Sequence, residues 1–298
     1  MSDAAEAQRS IWRHLMTTPF RQDWVDIDGI STRYVQAGKA DAPAIVMLHG
    51  TAGTWECFAA NLGAHAEHYN CYALDMVGSG FSSKPDMQYE IPVYAEHVRK
   101  FMAKMGLKSA SLIGVSLGAW VACRIAVDHP EIVDKLTLVA SSGMFANATT
   151  MGSIRGVRTK AVDDPSWETI KSVFVPLIYD QGNRIPDLVA VRQATYRLPE
   201  MKTAMHNILC LQDPEIRQRN LLKEDEWRSI TAPTLVIAAP DDREEYYNTA
   251  MRMRELAKDV HVVEVREVKH WGQFEKPDLF NKLNLAFMSG AELPAQAS

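Results

Sequence analysis

The sequence predicts an α/β protein built on a mostly parallel, doubly wound sheet. The first observation is a series of short apolar runs, each the length of a strand that is buried on both faces. They are Ala44–Leu48, Cys71–Leu74, Ser111–Ile113, Leu136–Val139, Thr234–Ala238 and Val260–Val265. The second observation is the helical spacing of apolar residues between several of these runs, which favours strands alternating with helices. The length of 298 residues suits one large domain or a core with an insertion.

Three helices are predicted in the core. They cover residues 94–105, 117–127 and 277–287, where apolar side chains recur at helical spacing. Their ends carry helix stop signals, since Gly106 and Gly290 follow the first and third helices and His129-Pro130 follows the second. Pro277 stands in the first turn of the third helix, where proline is well tolerated.

One segment breaks the alternation of strand and helix. From Met144 to Ser229 the apolar residues follow helical periods only, and this block stands between two core strands. We therefore predict a helical cap over the edge of the sheet. The chain then divides into an N-terminal arm (1–24), an α/β core (25–143 and 230–290) and the cap (144–229). Within the arm, Trp12, Leu15 and Met16 are expected to pack as a short amphipathic turn.

The composition excludes several classes of partner. The formal net charge is −5, so nucleic acid and anionic membrane surfaces are poor partners. No apolar run approaches the ~20 residues of a membrane-spanning helix, and the polar start shows no secretory signal. Four scattered cysteines, Cys57, Cys71, Cys123 and Cys210, are expected to be reduced and mostly buried. These features predict a cytoplasmic protein.

The sequence predicts no cofactor and no metal. The loop from Asp75 to Ser82 lacks the G-x-G-x-x-G spacing of a dinucleotide site, and no Cys/His cluster has metal-ligand spacing. The expected partner is a small-molecule substrate. Whether the chain forms a homo-oligomer is left open by the sequence.

The strongest local signal is Gly-Val-Ser-Leu-Gly at 114–118, directly after an apolar strand and before a helix. In this G-x-S-x-G elbow the glycines permit a sharp strand-to-helix turn that presents the serine oxygen above the sheet. The N-terminus of the helix behind it is suited to stabilise developing negative charge. Ser116 is therefore the candidate nucleophile.

A serine hydroxyl needs a base, and the base needs an orienting acid. His270 is the candidate base, because it follows the last apolar strand at the carboxyl edge of the sheet; most other histidines are expected on the surface. On a sheet of this kind the acid lies between serine and histidine in the chain. Asp241 and Asp242 both follow the strand 234–238. Asp242 is preferred, because the turn before it directs its side chain back over the sheet, whereas Asp241 suits a helix cap.

The loop His-Gly-Thr-Ala-Gly at 49–53 follows the first buried strand. A glycine-rich turn there can supply one N–H of an oxyanion hole, and Leu117 N–H supplies the other. Thr51 N–H is assigned as the second donor, with Ala52 as the alternative and as a substrate contact. His49 is expected to form structural hydrogen bonds within the loop.

Together these residues resemble the α/β-hydrolase fold family over residues 25–287. Within it the chain is most similar to the meta-cleavage product hydrolases, which split carbon–carbon bonds in vinylogous 1,5-diketones. This closer resemblance is carried by His-Trp-Gly-Gln-Phe-Glu at 270–275 and Phe-Asn-Lys-Leu at 280–283. It implies that Trp271 lines the pocket and that Arg192, in the cap, polarises the keto or carboxylate end of the substrate. The alternative for Arg192 is a solvated helix residue.

Two departures from that family bear on the reaction. Val115 stands where the family usually has asparagine, and the first oxyanion loop reads H-G-T-A-G-T in place of H-G-x-G-P-G. The prediction is a serine hydrolase acting on a small carbonyl substrate. Carbon–carbon hydrolysis of a 2-hydroxy-6-oxo-dienoate is favoured by Trp271 and Arg192, and ester, lactone or carbamate hydrolysis by Val115. A non-catalytic ligand-binding protein is the third alternative, against which the complete triad argues.

Overall fold

A single nine-stranded sheet runs through the computed structural model, which describes residues 10–297. The strands are β1 (Phe20–Ile27), β2 (Ile30–Ala37), β3 (Ala44–Leu48), β4 (Asn70–Leu74), β5 (Ala110–Val115), β6 (Val133–Val139), β7 (Thr234–Ala238), β8 (Val260–Val265) and β9 (Gln296–Ala297). Their order across the sheet is β1-β2-β4-β3-β5-β6-β7-β8-β9. The pairs from β4 through β9 are parallel, and the pairs β1/β2 and β2/β4 are antiparallel.

The predicted fold class is confirmed. All six apolar runs form strands, and β3, β7 and β8 have the bounds that the sequence predicts. Every residue of β3, β4, β5 and β7 is buried, because helices cover both faces of a doubly wound sheet. The helices outside the cap are α1 (Trp12–Leu15), α2 (Ala59–Ala66), α3 (Ile91–Lys104), α4 (Leu117–Asp128), α11 (Glu244–Leu256), α12 (Gly272–Glu275) and α13 (Pro277–Ser289).

The antiparallel hairpin β1–β2 is absent from the sequence prediction. Its two-residue turn is Asp28-Gly29, with φ of 52° and 86°, between the paired residues Ile27 and Ile30. Asp-Gly is a known signal for such a turn, but β1 is an edge strand whose polar residues do not form an apolar run. Since β1 begins at Phe20, residues 20–24 of the expected arm lie in the sheet.

The remaining arm packs differently from the expected turn. Ile11 and Leu15 are buried, whereas Trp12 and Met16 are 52% and 76% exposed. The hydroxyl of Ser10 and the N–H of Ile11 both donate to Asp187 Oδ2, at 2.5 and 2.9 Å. This contact ties the start of the described chain to a helix of the insertion. Residues 1–9 of the expected arm lie outside the described residues.

Residues 144–229, all described, form six α-helices between β6 and β7. These are α5 (Ala148–Asp163), α6 (Trp167–Ser172), α7 (Pro186–Tyr196), α8 (Met201–Ile208), α9 (Pro214–Asn220) and α10 (Glu224–Ser229). Side chains at three N-termini accept backbone N–H groups: Asn147 for α5, Ser166 for α6 and Asp213 for α9. Such caps define short helices that propensity alone would leave marginal. No strand of the sheet lies in this segment.

Within residues 10–297 no helix combines the length and apolar character needed to cross a membrane. All four cysteines are buried and unbridged. Two of the histidines expected on the surface are buried instead. His65 and His97 bond to neighbouring side chains, Asn284 Nδ2 and Thr32 Oγ1 respectively, both at 2.8 Å. They have structural roles, because burial of an imidazole requires hydrogen-bond partners.

Candidate active site

Ser116 occupies a strained turn between β5 and α4. Its φ is 56° and its ψ is −113°, a conformation that a non-glycine residue rarely adopts. Its N–H donates to Val139 O at 2.9 Å, which holds the turn against β6. The elbow therefore fixes Ser116 at the carboxyl edge of the sheet.

The two glycines of the elbow are required by close backbone approach. A Cβ at Gly114 would lie 2.5 Å from Ala119 N, and one at Gly118 would lie 2.1 Å from Leu48 O. Both distances are far below van der Waals contact, so any side chain would push α4 away from the sheet. The sequence pattern thus has a direct steric cause.

His270 and Asp242 form a buried pair. His270 Nδ1 lies 2.9 Å from Asp242 Oδ2, and their side chains are 8% and 2% exposed. With Nδ1 donating to the carboxylate, Nε2 is left as the basic nitrogen. The ring of Tyr246, in α11, packs edge-on against the imidazole with its centroid 4.5 Å away. Two independent contacts therefore fix the orientation of the imidazole.

Asp241 has another role. Its Oδ2 accepts the N–H of Glu267 at 2.8 Å, which ties the β7–α11 turn to the loop before His270. The helix-cap alternative for Asp241 is not observed, because the residue before α11 is Arg243 and no side chain caps that helix. The structure thus brings Asp242, and not Asp241, to the histidine.

The loop after β3 closes over Ser116. Gly53 N–H donates to Gly50 O at 2.9 Å, and a Cβ placed on Gly50 would lie 4.0 Å from Ser116 Oγ. His49 stabilises this turn, since its Nε2 accepts Met76 N–H at 3.0 Å and its Nδ1 donates to Gly50 O at 2.7 Å. Burial lowers the pKa of His49 to about 4, so His49 is neutral at pH 7. It forms the structural hydrogen bonds that the sequence predicts.

A buried cluster of charged side chains, Asp75, Arg33 and Glu56, stabilises the same loop. Asp75 Oδ1 accepts Trp55 N–H and its Oδ2 accepts Phe81 N–H, both at 2.9 Å. Arg33 forms ion pairs with both carboxylates, with its Nη1 3.1 Å from Asp75 Oδ2 and its Nη2 2.5 Å from Glu56 Oε1. A buried carboxylate with these partners is well satisfied, so this cluster is a structural support for the loop.

A narrow cavity of about 40 Å³ lies above Ser116. It is lined by Gly50, Thr51, Ser116, Ile154, Arg158, Leu177, Arg192, Tyr246, His270 and Trp271. Of the two loop candidates, Thr51 lines this cavity. Ala52 is 2% exposed, has a φ of 49° and is not part of the lining. Leu117 opens α4, so its N–H has no acceptor within the helix.

Arg192 is buried in the cavity wall, at 4% exposure, rather than solvated. Its guanidinium lies 5.0 Å from the ring centroid of Phe174, 5.7 Å from that of Tyr196 and 6.0 Å from that of Trp271. These rings hold the cation by cation–π attraction. Trp271 is also buried, at 5%, so the cap and the histidine loop meet around this arginine.

The sequence analysis missed three residues of the site: Tyr246, Arg158 and Tyr196. Tyr246 contacts His270, and Arg158 lies in the cavity wall. Arg158 and Arg192 both donate from Nη1 to the hydroxyl of Tyr196, at 3.2 and 3.4 Å. The spacing of Arg192 and Tyr196, four residues apart on a helix, places them on one face. No local signal marks Arg158, because arginines on helices are ordinarily exposed.

The chain is similar to a known protein family and to proteins of known activity. A family model described as alpha/beta hydrolase fold matches residues 43–277. A 2-hydroxy-6-oxo-6-(2'-aminophenyl)hexa-2,4-dienoic acid hydrolase from Metapseudomonas resinovorans is 28% identical, covering 89% of this chain and 90% of its own.

Two solved structures have the same fold. A bacterial membrane phospholipase A has a TM-score of 0.78 at 25% identity, over 96% of this chain and 91% of its own. A meta-cleavage product hydrolase from Pseudomonas fluorescens has a TM-score of 0.80 at 21% identity, over 91% of this chain and 98% of its own. The resemblance seen in the sequence is confirmed at the level of the family.

Proposed function

The chain belongs to the α/β-hydrolase fold family, and on the premise that it is a hydrolase of that family we propose a serine-dependent reaction on a small carbonyl substrate that carries an acidic group. One observation carries the proposal. Ser116 lines the same cavity as His270, which is bonded to Asp242, and as the buried cation Arg192. A nucleophile, a base with its orienting acid and an anion-binding group thus converge on one small space.

In the proposed mechanism Ser116 Oγ attacks the substrate carbonyl carbon. His270 Nε2 takes the hydroxyl proton and later returns it to the leaving group. Asp242 accepts the Nδ1–H, which fixes the tautomer and stabilises the imidazolium. Water then hydrolyses the acyl-enzyme through the same base.

Two backbone N–H groups are proposed to stabilise the negative charge that develops on the carbonyl oxygen. Leu117 N–H stands at the first position of α4, where the helix leaves it without an acceptor, and Thr51 N–H lies in the loop over Ser116. Donors that are fixed before reaction are worth about 3–4 kcal/mol of transition-state stabilisation each. Val139 and Asp75 matter indirectly, since they hold the elbow and the loop in place.

The substrate class we favour is the 2-hydroxy-6-oxo-dienoate type. The Metapseudomonas resinovorans relative is named for such a substrate. In this chain Arg192 would bind the keto or carboxylate end and assist ketonisation of the dienol, after which Ser116 attacks the distant carbonyl and the carbon–carbon bond breaks. Trp271 and Leu177 provide the apolar walls of the cavity.

Ester, lactone or carbamate hydrolysis is the second candidate. It is supported by Val115, which is fully buried and apolar, so it contributes no hydrogen bond where the carbon–carbon hydrolases usually have an asparagine. The phospholipase A of similar fold is consistent with ester chemistry. The same triad and oxyanion donors would serve this reaction without ketonisation.

The test is a paired assay of wild type and Ser116→Ala. Wild type should cleave a yellow 2-hydroxy-6-oxo-dienoate and Ser116→Ala should not, so that a carboxylic acid and a 2-hydroxypentadienoate appear by mass spectrometry only with wild type. Turnover of p-nitrophenyl esters or lactones alone would favour the ester candidate. Equal rates with both proteins, or turnover of neither substrate class, would contradict the proposal and favour a ligand-binding protein.

A further inference from the structure

Two buried arginines of the cap meet on one tyrosine oxygen. Arg158, in α5, is 7% exposed, and Arg192, in α7, is 4% exposed. Their Nη1 atoms donate to Tyr196 Oη at 3.2 and 3.4 Å. Because they share this acceptor and both line the cavity above Ser116, their guanidiniums are close enough to bind a common anion.

These two arginines differ from the other buried arginines of residues 10–297. Arg33 is paired with Asp75 and Glu56, and Arg217 with Glu245 at 2.8 Å. In contrast, no carboxylate among the described residues lies within 4.0 Å of Arg158 or Arg192. Buried charges are normally paired, since an unpaired one loses its hydration without compensation. The paired arginines lie outside the cavity, and the unpaired ones line it.

The charges around Arg158 strengthen this contrast. Burial, together with the nearby charges of Arg192 and Arg243, lowers the pKa of Arg158 to about 10. Arg158 is therefore still protonated at pH 7. Burial raises the pKa of Tyr196, but the two guanidiniums outweigh it and leave that pKa below its usual value. The cavity wall is thus a concentrated positive site that attracts an anion.

We propose that Arg158 is a second substrate-binding residue, and that Arg158 and Arg192 together bind the carboxylate end of the substrate. This inference rests on the proposed function, because it assigns an orientation to the substrate of that reaction. The ligand class that fits two guanidinium forks is a 2-oxo or 2-hydroxy carboxylate, which offers three oxygen acceptors in or near one plane. The carbonyl to be attacked then lies at the other end, toward Ser116.

The rival explanation is structural. Arg158 would serve only to join α5 to α7 through Tyr196, and the unpaired charge would be incidental. Tyr196→Phe separates these explanations, because it removes the shared acceptor and leaves both charges. Under the rival explanation Tyr196→Phe should do as much damage as Arg158→Gln.

Binding is measured in the Ser116→Ala protein, so that the result does not depend on turnover. The probe is 2-oxopentanoate, pentan-2-one is its counterpart without a carboxylate, and dissociation constants come from calorimetry or ligand-observed NMR. Arg158→Gln should weaken 2-oxopentanoate binding about 10- to 100-fold, the effect of one charged hydrogen-bond partner. Its effect on pentan-2-one binding should be much smaller, because this ketone lacks the carboxylate. Tyr196→Phe should weaken the binding of 2-oxopentanoate by no more than about threefold.

Arg155→Gln is the matched control, since Arg155 lies on the same helix, is exposed and, within residues 10–297, donates a side-chain hydrogen bond to Leu209 O at 3.4 Å. It should bind 2-oxopentanoate like the parent. If Arg158→Gln and Arg155→Gln bind equally, or if Tyr196→Phe loses as much as Arg158→Gln, the inference is overturned.

Should Arg158→Gln fail to fold, ¹⁵N-arginine NMR of the Ser116→Ala protein gives the same answer. The Nε–H signal of Arg158, assigned with Arg158→Lys, should shift on addition of 2-oxopentanoate and not of pentan-2-one. An unmoved Arg158 signal overturns the inference.

Failure of this inference and failure of the proposed function are distinguishable. Binding that depends on Arg158, in a protein that hydrolyses no dienoate or ester, supports the carboxylate site and overturns only the proposed reaction. Turnover of a carboxylate-bearing ester that is lost in Ser116→Ala but unaffected by Arg158→Gln supports the reaction and overturns the carboxylate site.

Discussion

At the scale of single residues, the site depends on a serine held in a rare backbone conformation and a histidine held from two sides. Ser116 has a φ of 56°, and His270 is fixed by Asp242 and by the ring of Tyr246. Such strain persists only where surrounding structure enforces it. Here Gly114, Gly118 and the bond to Val139 supply that constraint.

The proposed triad is tested by substitution of its members. Ser116→Ala and His270→Ala should each lower kcat by roughly 10⁴ or more, because removal of either member disables the whole unit. Asp242→Asn should be comparably severe, since it leaves the imidazole in the wrong tautomer. Steady-state kinetics with circular dichroism as a folding check would measure this.

Asp241→Asn is the matched control. Asp241 bonds only to Glu267 N–H among the described contacts, so its loss should be mild, within about tenfold of wild type. A greater loss for Asp241→Asn than for Asp242→Asn would show that the acid has been misassigned.

Arg192 should act on the charged end of the substrate. Arg192→Ala is expected to lower kcat/KM roughly 10- to 100-fold for an ester that bears a free carboxylate, because a charged hydrogen bond is lost. The methyl-capped neutral ester of the same length should change little. An equal loss for both esters would indicate that Arg192 has a purely structural role.

At the scale of elements, a glycine of the elbow and a glycine of a cap helix should respond in opposite ways to substitution by alanine. Gly118→Ala should lower the free energy of unfolding by about 3 kcal/mol or more, because its Cβ would lie 2.1 Å from a backbone oxygen of β3. Gly156, inside α5, has no atom within 4 Å of an added Cβ. Gly156→Ala should therefore raise that free energy by about 0.5–1 kcal/mol. Urea denaturation measures both; equal effects would refute the steric argument.

Glu275 joins the cap to the histidine loop. Its two carboxylate oxygens accept Lys269 N–H at 2.7 Å and Tyr179 N–H at 2.6 Å, and burial raises its pKa to about 7. A raised carboxyl pKa means that the folded state binds the proton more tightly than the unfolded state. The associated stability is full below pH ~4.5 and is lost as pH rises through about 7.

Glu275→Gln removes this titration. Between pH 5 and 8 the free energy of unfolding of wild type should fall relative to that of Glu275→Gln. Denaturation curves of both proteins across that range provide the measurement. A difference that stays constant with pH would contradict the assignment.

Elements differ in how far the sequence predicts them. The strands β3, β7 and β8 follow from unbroken apolar runs, since a strand buried on both faces needs no alternation. β1 was missed because an edge strand carries polar residues. The placement of Ser116, Asp242 and His270 follows from strand ends and needs only the sheet. The position of Arg158 depends on how α5 packs against Tyr196, which no local pattern encodes.

At the scale of the whole molecule, the cysteines provide a simple prediction. All four are buried and unbridged, and burial raises the pKa of each thiol. Native protein should therefore react slowly with a thiol reagent, because the thiolate is the reactive form. Protein unfolded without reductant should release four reactive groups. Recovery of only two or none would reveal disulfides and contradict this description.

We propose that one activated serine, Ser116, performs covalent chemistry beneath the cap. Reaction with a fluorophosphonate followed by peptide mass spectrometry tests this role of Ser116, because such reagents modify serines that a neighbouring base activates. We expect one equivalent of label on the peptide containing Ser116, strongly reduced labelling in His270→Ala and none in Ser116→Ala. Label on a different residue, or equal labelling of wild type and His270→Ala, would contradict the claim.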